Sequence, residues 1–319
     1  MNAKSGDRAP QFFKGQPMKA NADNSAKAMD IQVDRERLRK DVQRLTAVVP
    51  PRNAKNADSL DQSAKYIFEE FSKAGGRTGF QTFTQDGKAY KNVICSFGPE
   101  GGERIIVGAH YDVQGDQPGA DDNASGVAGL LELSRLVRPL GTEPKFRIDF
   151  VAYTLEEGQL LKHPCARHYG SYIHAKSLAQ ADVSVRAMIC LEMIGYFSDR
   201  PNSQKYPLIF MRWFYPDKGN FIAVVGKWGQ GSMVQKVQKS LASLSQVPVE
   251  SLTAISFIPG VSFSDHQSYW KFDYPAVMIT DTAFYRNMNY HKPSDTADTL
   301  DYDRMAEVIK GLFWTIIQM

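Results

Sequence analysis

The sequence predicts an α/β protein, a three-layer α/β/α sandwich around a mixed, mostly parallel sheet. Short apolar strands alternate with amphipathic helical stretches over most of the chain, the pattern of βαβ crossovers. A hairpin signal near the start, Asp86–Gly87 between two strand-like runs, adds an antiparallel portion. With 319 residues and 43% hydrophobic content, the chain is long enough to bury a large core.

In order along the chain, residues 1–33 are rich in Asn, Lys, Ala, Asp and Gly and read as a flexible extension. Leu38, Val42, Leu45 and Val49 recur at helical spacing until Pro50–Pro51 ends the pattern. Leu60, Ala64, Ile67, Phe68 and Phe71 repeat it, and Gly75–Gly76 closes that second helix. RTGFQTFT and KAYKNVICSF form the hairpin, and RIIVGAH, KFRIDFVAYT, RAMICLEMI, FIAVVG and YPAVMIT read as short buried strands. Helical stretches fall at Gly126–Val137, Met233–Leu244 and Asp303–Ile317. Residues 34–319 are therefore expected to form one domain. Internal repeats and low-complexity runs are not apparent.

The balance of 38 basic and 35 acidic residues, a net charge of +3, gives no electrostatic reason to expect nucleic acid or an anionic membrane as partner. No apolar run reaches the ~20 residues of a membrane span. Three cysteines, Cys95, Cys165 and Cys190, fit neither a dense disulfide framework nor a CxxC metal site, and leave one disulfide open.

Metal-binding side-chain types stand at the ends of the predicted strands: His110 and Asp112 in GAHYD, Asp122 in GADDNASG, Glu156–Glu157 in TLEEG, Glu192 in LEMIGY and His291 in NYHKPSDT. In an open α/β sheet ligands bind beyond the carboxyl ends of the strands. Residues far apart in sequence thus converge on one rim. Taken alone, His110 reads as a core histidine, Asp122 as part of a helix cap and Glu156–Glu157 as solvated glutamates. Together they read as a two-metal hydrolase site, since carboxylates and imidazoles suit zinc and a bridging carboxylate can hold two ions ~3.5–4 Å apart.

These motifs resemble the co-catalytic di-zinc aminopeptidases, whose wider family includes glutaminyl cyclases, glutamate carboxypeptidases and non-catalytic receptor domains. The resemblance runs from about Asp34 to the C-terminus and implies a zinc-exopeptidase-like fold. It implies two Zn2+, with cobalt or manganese able to take the same ligands. One ion would be held by His110, Asp122 and Glu192, and the other by Asp122, Glu157 and His291. Asp112 would orient His110. Glu156 would be the general base and Glu157 a ligand. Glu192 departs from the Asp that many relatives carry before Met-Ile-Gly, which lengthens the side chain by one methylene. Tyr290 is placed to meet the oxyanion, and Asp265 and His266 in FSDHQSYW are expected to support the site without binding metal.

The expected substrates are peptides with a free N-terminus, and the oligomeric state is open. The alternative is a cyclase-like acyltransferase with a single zinc. The lack of an inserted domain argues against the carboxypeptidase-like relatives, and a complete ligand set argues against a receptor domain. The resemblance also implies an extracytoplasmic place, with a leader ahead of this chain. Trp213, Phe214, Tyr215, Phe257, Phe263, Tyr269, Trp270, Phe284 and Tyr285 are expected to be mostly core, some lining a substrate pocket. Gly158–Arg167, longer than the short connection usual after the Glu pair, reads as a loop shaping the cleft. His163, Cys165 and His168 lie in and beside it.

Overall fold

The computed structural model describes residues 31–138, 144–157 and 170–319. Most of the expected N-terminal extension, the Gly158–Arg167 loop, Cys165 and His168 lie outside the described residues. Helix α1 (Arg35–Thr46) starts on Asp34, whose side chain accepts from the Arg37 N–H. Helix α2 (Ala57–Ala74) ends at Gly75, which takes the left-handed conformation with φ 87°. Strands β1 (Arg77–Gln85) and β2 (Lys88–Phe97) then pair around Asp86 and Gly87. Both turn residues have positive φ, as a tight hairpin requires.

The chain continues through β3 (Arg104–His110), α3 (Gly126–Val137), β4 (Arg147–Tyr153), α4 (Gly170–Gln180), β5 (Val185–Glu192), β6 (Ile222–Lys227), α5 (Gly231–Ala242), β7 (Val249–Ala254), α6 (His266–Trp270), β8 (Ala276–Thr280) and α7 (Tyr302–Ile317). One sheet holds the eight strands in the order β1-β2-β4-β3-β5-β8-β6-β7. Its centre, β4-β3-β5-β8, is parallel. The expected antiparallel portion is present at β1-β2-β4. A second one, where β6 meets β8, was not foreseen.

The central strands are apolar on both faces, as a parallel sheet covered on both sides must be. Ile105, Val107 and Ala109 of β3, with Phe150, Ile189 and Ile279, face one apolar cluster that also takes in α1, α2, α3, α5 and α7. Ile106, Val151, Met188, Cys190 and Met278 face the other, which includes residues of α4 and α6. Among the described residues fewer helices cover this second face, which leaves room for a cleft.

Strand β7 and helices α4 and α6 carried no clear sequence signal. Along β7 five of six residues are only half-buried, so its apolar alternation is weak; α6 spans five residues. Cys95 and Cys190 are buried and unbridged. Among the described residues no helix is long and apolar enough to cross a membrane.

The first face is pinned by a buried charge network. Arg135 of α3 reaches Asp41 of α1 at 2.6 Å and Glu70 of α2 at 2.6 Å, and lies 3.3 Å from Glu132. Glu132, fully buried, also takes Arg37 at 2.5 Å. Removing one member of such a network strands the remaining charges without water. Arg135→Ala should therefore lower the unfolding free energy by about 3–5 kcal/mol. Urea denaturation measures this, and a loss below about 1 kcal/mol would mean that the three carboxylates are compensated by other groups.

Candidate metal centre

The rim above β3, β4 and β5 gathers the polar residues that the strands deliver there. His110 is the last residue of β3 and Glu192 the last of β5, while Glu156 and Glu157 follow β4 by three and four residues. Asp122 sits in the turn before α3, where it and Asn123 leave helical φ and ψ. Each strand end must turn sharply to present its side chain. Leu155, Met193 and His291 accordingly hold positive φ, an uncommon conformation for such residues.

Four side chains meet around Asp122. Its Oδ1 lies 3.4 Å from His110 Nε2, and its Oδ2 lies 3.0 Å from His291 Nε2. His110 Nε2 is also 3.3 Å from Glu192 Oε2, and His291 Nε2 is 3.2 Å from Glu157 Oε1. The two oxygens of one carboxylate thus face two imidazoles, each with a second carboxylate. Among the described residues Glu156 pairs with neither imidazole.

The donor set fits zinc. Two donors bound tetrahedrally at the ~2.0–2.1 Å usual for zinc stand about 3.4 Å apart, close to the separations found. Asp122 Oδ1 accepts no hydrogen bond among the described residues, although it is buried. Burial and the Asp122 charge push the Glu157 carboxyl up to about 8. Burial also holds Glu156 well above the usual carboxylate range, and the charges of Glu157, Glu192 and Asp265 add to it against the pull of His110. Burial alone would lower His110 and His291, but the carboxylates around them outweigh it. This is negative charge in excess of what the protein neutralises, and a divalent cation reverses that balance.

The supporting contacts go beyond the expected pairing of Asp112 with His110. His110 Nδ1 is nearest the backbone oxygen of Asp112, at 3.2 Å, and lies 3.6 Å from the Asp112 carboxylate. That carboxylate also accepts from the backbone N–H of Glu156 at 3.1 Å and of Glu157 at 3.0 Å, which fixes the Glu pair. Asp295 does the same for the N–H groups of Asp121 and Asp122. Asn123 Oδ1 accepts from Gly126 N–H and Met193 N–H, so the cap of α3 and the end of β5 share one side chain.

Asp265 is buried with neither oxygen partnered among the described residues. Its neighbour Ser264, not singled out in the sequence, donates to Glu192 Oε2 at 2.6 Å. His266 turns away to the Val261 carbonyl and packs edge-on to Trp270. Asp295 lies within the NYHKPSDT run but was not singled out there. Neither Ser264 nor the backbone contacts of Asp112 carried a sequence signal.

A cleft of about 810 Å³, open mouth included, runs from Glu192 and Tyr290 into the thinly covered face. Met211, Phe221, Leu252, Val261, Phe263 and Met278 give it apolar walls. Tyr290 stacks on His291 with ring centroids 3.7 Å apart, and burial beside Asp122 and Glu157 keeps its hydroxyl protonated. Of the nine aromatics expected to be mostly core, Tyr269 and Trp270 are buried. Tyr215, Phe263, Phe284 and Tyr285 line the cleft, and Trp213, Phe214 and Phe257 are exposed. The late loops line a cleft instead of closing over a core, which is why the expectation fails.

Residues 92–314 match the sequence pattern of Peptidase family M28. A relative from Escherichia coli K12, "Uncharacterized protein YfbL", is 48% identical over 285 residues, which is 87% of this chain and 86% of that protein. Among solved structures, the Legionella pneumophila LapA aminopeptidase aligns with a TM-score of 0.73 and 20% identity over 96% of this chain and 77% of its own. A Bacteroides thetaiotaomicron glutaminyl cyclase bound to N-acetylhistamine aligns at 0.69 and 19%, over 91% and 99%. At these identities the structural likeness establishes the fold, which is common to hydrolase and cyclase.

The clamp made by Asp112 yields a test independent of any metal. Asp112→Ala leaves two buried N–H groups without their charged acceptor, and should lower the unfolding free energy of chelator-treated protein by about 2–4 kcal/mol. Chemical denaturation checks it. A change under about 0.5 kcal/mol would show that water replaces the carboxylate.

Proposed function

The chain belongs to peptidase family M28, and from that premise we propose that it is a zinc aminopeptidase with a bridged two-metal centre, residues 34–319 forming its catalytic domain. The observation that carries this reading is the pair of contacts made by Asp122, one oxygen towards His110 and the other towards His291. His110, Asp122 and Glu192 would hold one ion, and Asp122, Glu157 and His291 the other. When bound, zinc polarises the scissile carbonyl and acidifies the attacking water.

The chain's own residues supply the remainder. Glu156, which pairs with neither imidazole and whose proton affinity is raised by burial, takes a proton from the attacking water and passes it to the leaving amine. Asp112 holds the Glu156 and Glu157 backbone so that the two carboxylates keep separate duties. The Tyr290 hydroxyl, protonated and on a residue that lines the cleft, donates to the oxygen that gains charge. The apolar walls receive the first side chain of the peptide and exclude water from it. An apolar first residue is therefore favoured.

A second reading has its own observation. Donor atoms of His110, Asp122 and Glu157 all lie within 4.8 Å of one another, so three ligands around one ion would suit a cyclase-like acyltransferase.

Elemental analysis of gently purified protein should approach two zinc-like ions per chain. A firm value of one, unchanged by added zinc, would favour the cyclase. Glu156→Gln should keep its metal and lower turnover by ~10²–10⁴, while Glu157→Gln should lose metal. Near-normal turnover in Glu156→Gln would remove the proposed base.

Substrate polarity gives the other test. A short peptide starting with leucine should lose residues in succession from its N-terminus, followed by mass spectrometry, and its N-acetylated form should resist, because acetylation removes the amine that positions the scissile bond. Internal cleavage of the acetylated peptide at a comparable rate would overturn the exopeptidase reading. Cyclisation of an N-terminal glutamine without hydrolysis would establish the alternative.

A further inference from the structure

Arg52 stands in the short segment between α1 and α2, where the side chain is 2% exposed. All of its hydrogen bonds go to backbone carbonyls. Nε donates to Tyr111 O at 2.8 Å, Nη1 to Pro118 O at 2.5 Å and to Leu45 O at 3.2 Å, and Nη2 to Gly119 O at 2.6 Å. Among the described residues it forms no ion pair. Its own carbonyl accepts from Val113 N–H at 3.0 Å, and Asn53 Nδ2 donates to Gly115 O at 2.5 Å.

The carbonyls it binds are not scattered. Tyr111 follows His110 directly, and Pro118–Gly119 lead into the turn that carries Asp122. One planar group therefore spans the loop between two proposed metal ligands and touches both ends. Asp295 ties the same turn to the loop bearing His291, through the N–H groups of Asp121 and Asp122 and through its own carbonyl to Ala120 N–H.

A purely structural arginine needs no such address. Here burial lowers the guanidinium to about 10, and Asp295, Asp112, Asp122 and Glu157 are the charges that oppose that loss. Its compensation comes from the rim itself. A lysine cannot substitute for it, because an ammonium is a point charge without the fork that reaches three directions in one plane.

We propose that Arg52 is a positioning residue for the metal centre, fixing the spacing between His110 and Asp122 and so setting how tightly the site takes up zinc. The inference rests on the metal-centre reading above and holds for one ion or two, since both arrangements use His110 and Asp122. Loss of an outer contact that orients metal ligands typically weakens metal affinity 10–100-fold.

The test uses Arg52→Lys and Arg52→Gln in the full chain, with Asn53→Ala as a control that loosens the same loop at Gly115, away from the ligands. Zinc affinity is measured on metal-stripped protein by competition with a chromophoric chelator, with no turnover involved. The unfolding midpoint is followed against zinc concentration, which reports affinity even for a marginal fold. Both Arg52 variants should bind zinc about 10–100-fold more weakly, with Asn53→Ala within about twofold of the parent. Folded Arg52 variants that bind zinc like the parent would overturn the proposal. So would failure of both to fold at any zinc concentration, which would assign Arg52 to the fold itself. Absence of peptidase activity in the parent, with zinc affinities ordered as expected, would defeat the aminopeptidase reading and leave this inference standing.

Discussion

Unbalanced negative charge at the carboxyl ends of β3, β4 and β5 is the constraint on which the rest of this structure depends. Asp122, Glu156, Glu157 and Glu192 are buried together, a placement that no chain sustains without compensation. The protein offers two imidazoles, the Ser264 hydroxyl on Glu192 and, behind the loop, the Arg52 guanidinium, which forms no ion pair among the described residues. These offset part of the charge. The carboxyls of Glu156 and Glu157 still stand above their ordinary range, which is the physical mark of a site shaped for a cation.

Holding such a cluster in place demands rigidity beneath it. The parallel strands provide it, because they are covered on both faces and their ends cannot drift. Positive φ at Leu155, Met193 and His291 shows where that rigidity is spent, on aiming side chains that an extended strand end would point elsewhere. On the far face, the Arg135 network locks α1, α2 and α3 together. Since α3 begins at the Asp122 turn, the network also steadies the carboxylate at the centre of the site.

The uneven covering of the sheet has a functional consequence. Helices crowd one face, while the other keeps only α4 and α6 among the described residues and opens into a cleft walled by Phe221, Val261 and Met278. Glu192 and Tyr290 are among its lining residues. Under the proposed function, a substrate side chain entering this cleft would bring its backbone towards the carboxylates, so the same asymmetry that thins the fold would also select what reaches the site.

The sequence by itself determined the alternation of strands and helices, because hydrophobic period and turn chemistry are local properties; β3 and α3 were legible to the residue. It also singled out His110, Asp122, Glu156, Glu157, Glu192 and His291, by residue type at predicted strand ends and by family resemblance, and the structure buries or half-buries these residues at one rim. Only the tertiary structure decided that β6 opposes β8 and that Asp112 grips the Glu pair through its backbone. It alone showed that Ser264 holds Glu192 and that Arg52 bridges the loop between two ligands. Each of those contacts joins residues distant in sequence through backbone atoms or hydroxyls, and such partners are chosen by packing, which leaves no periodic trace in the chain.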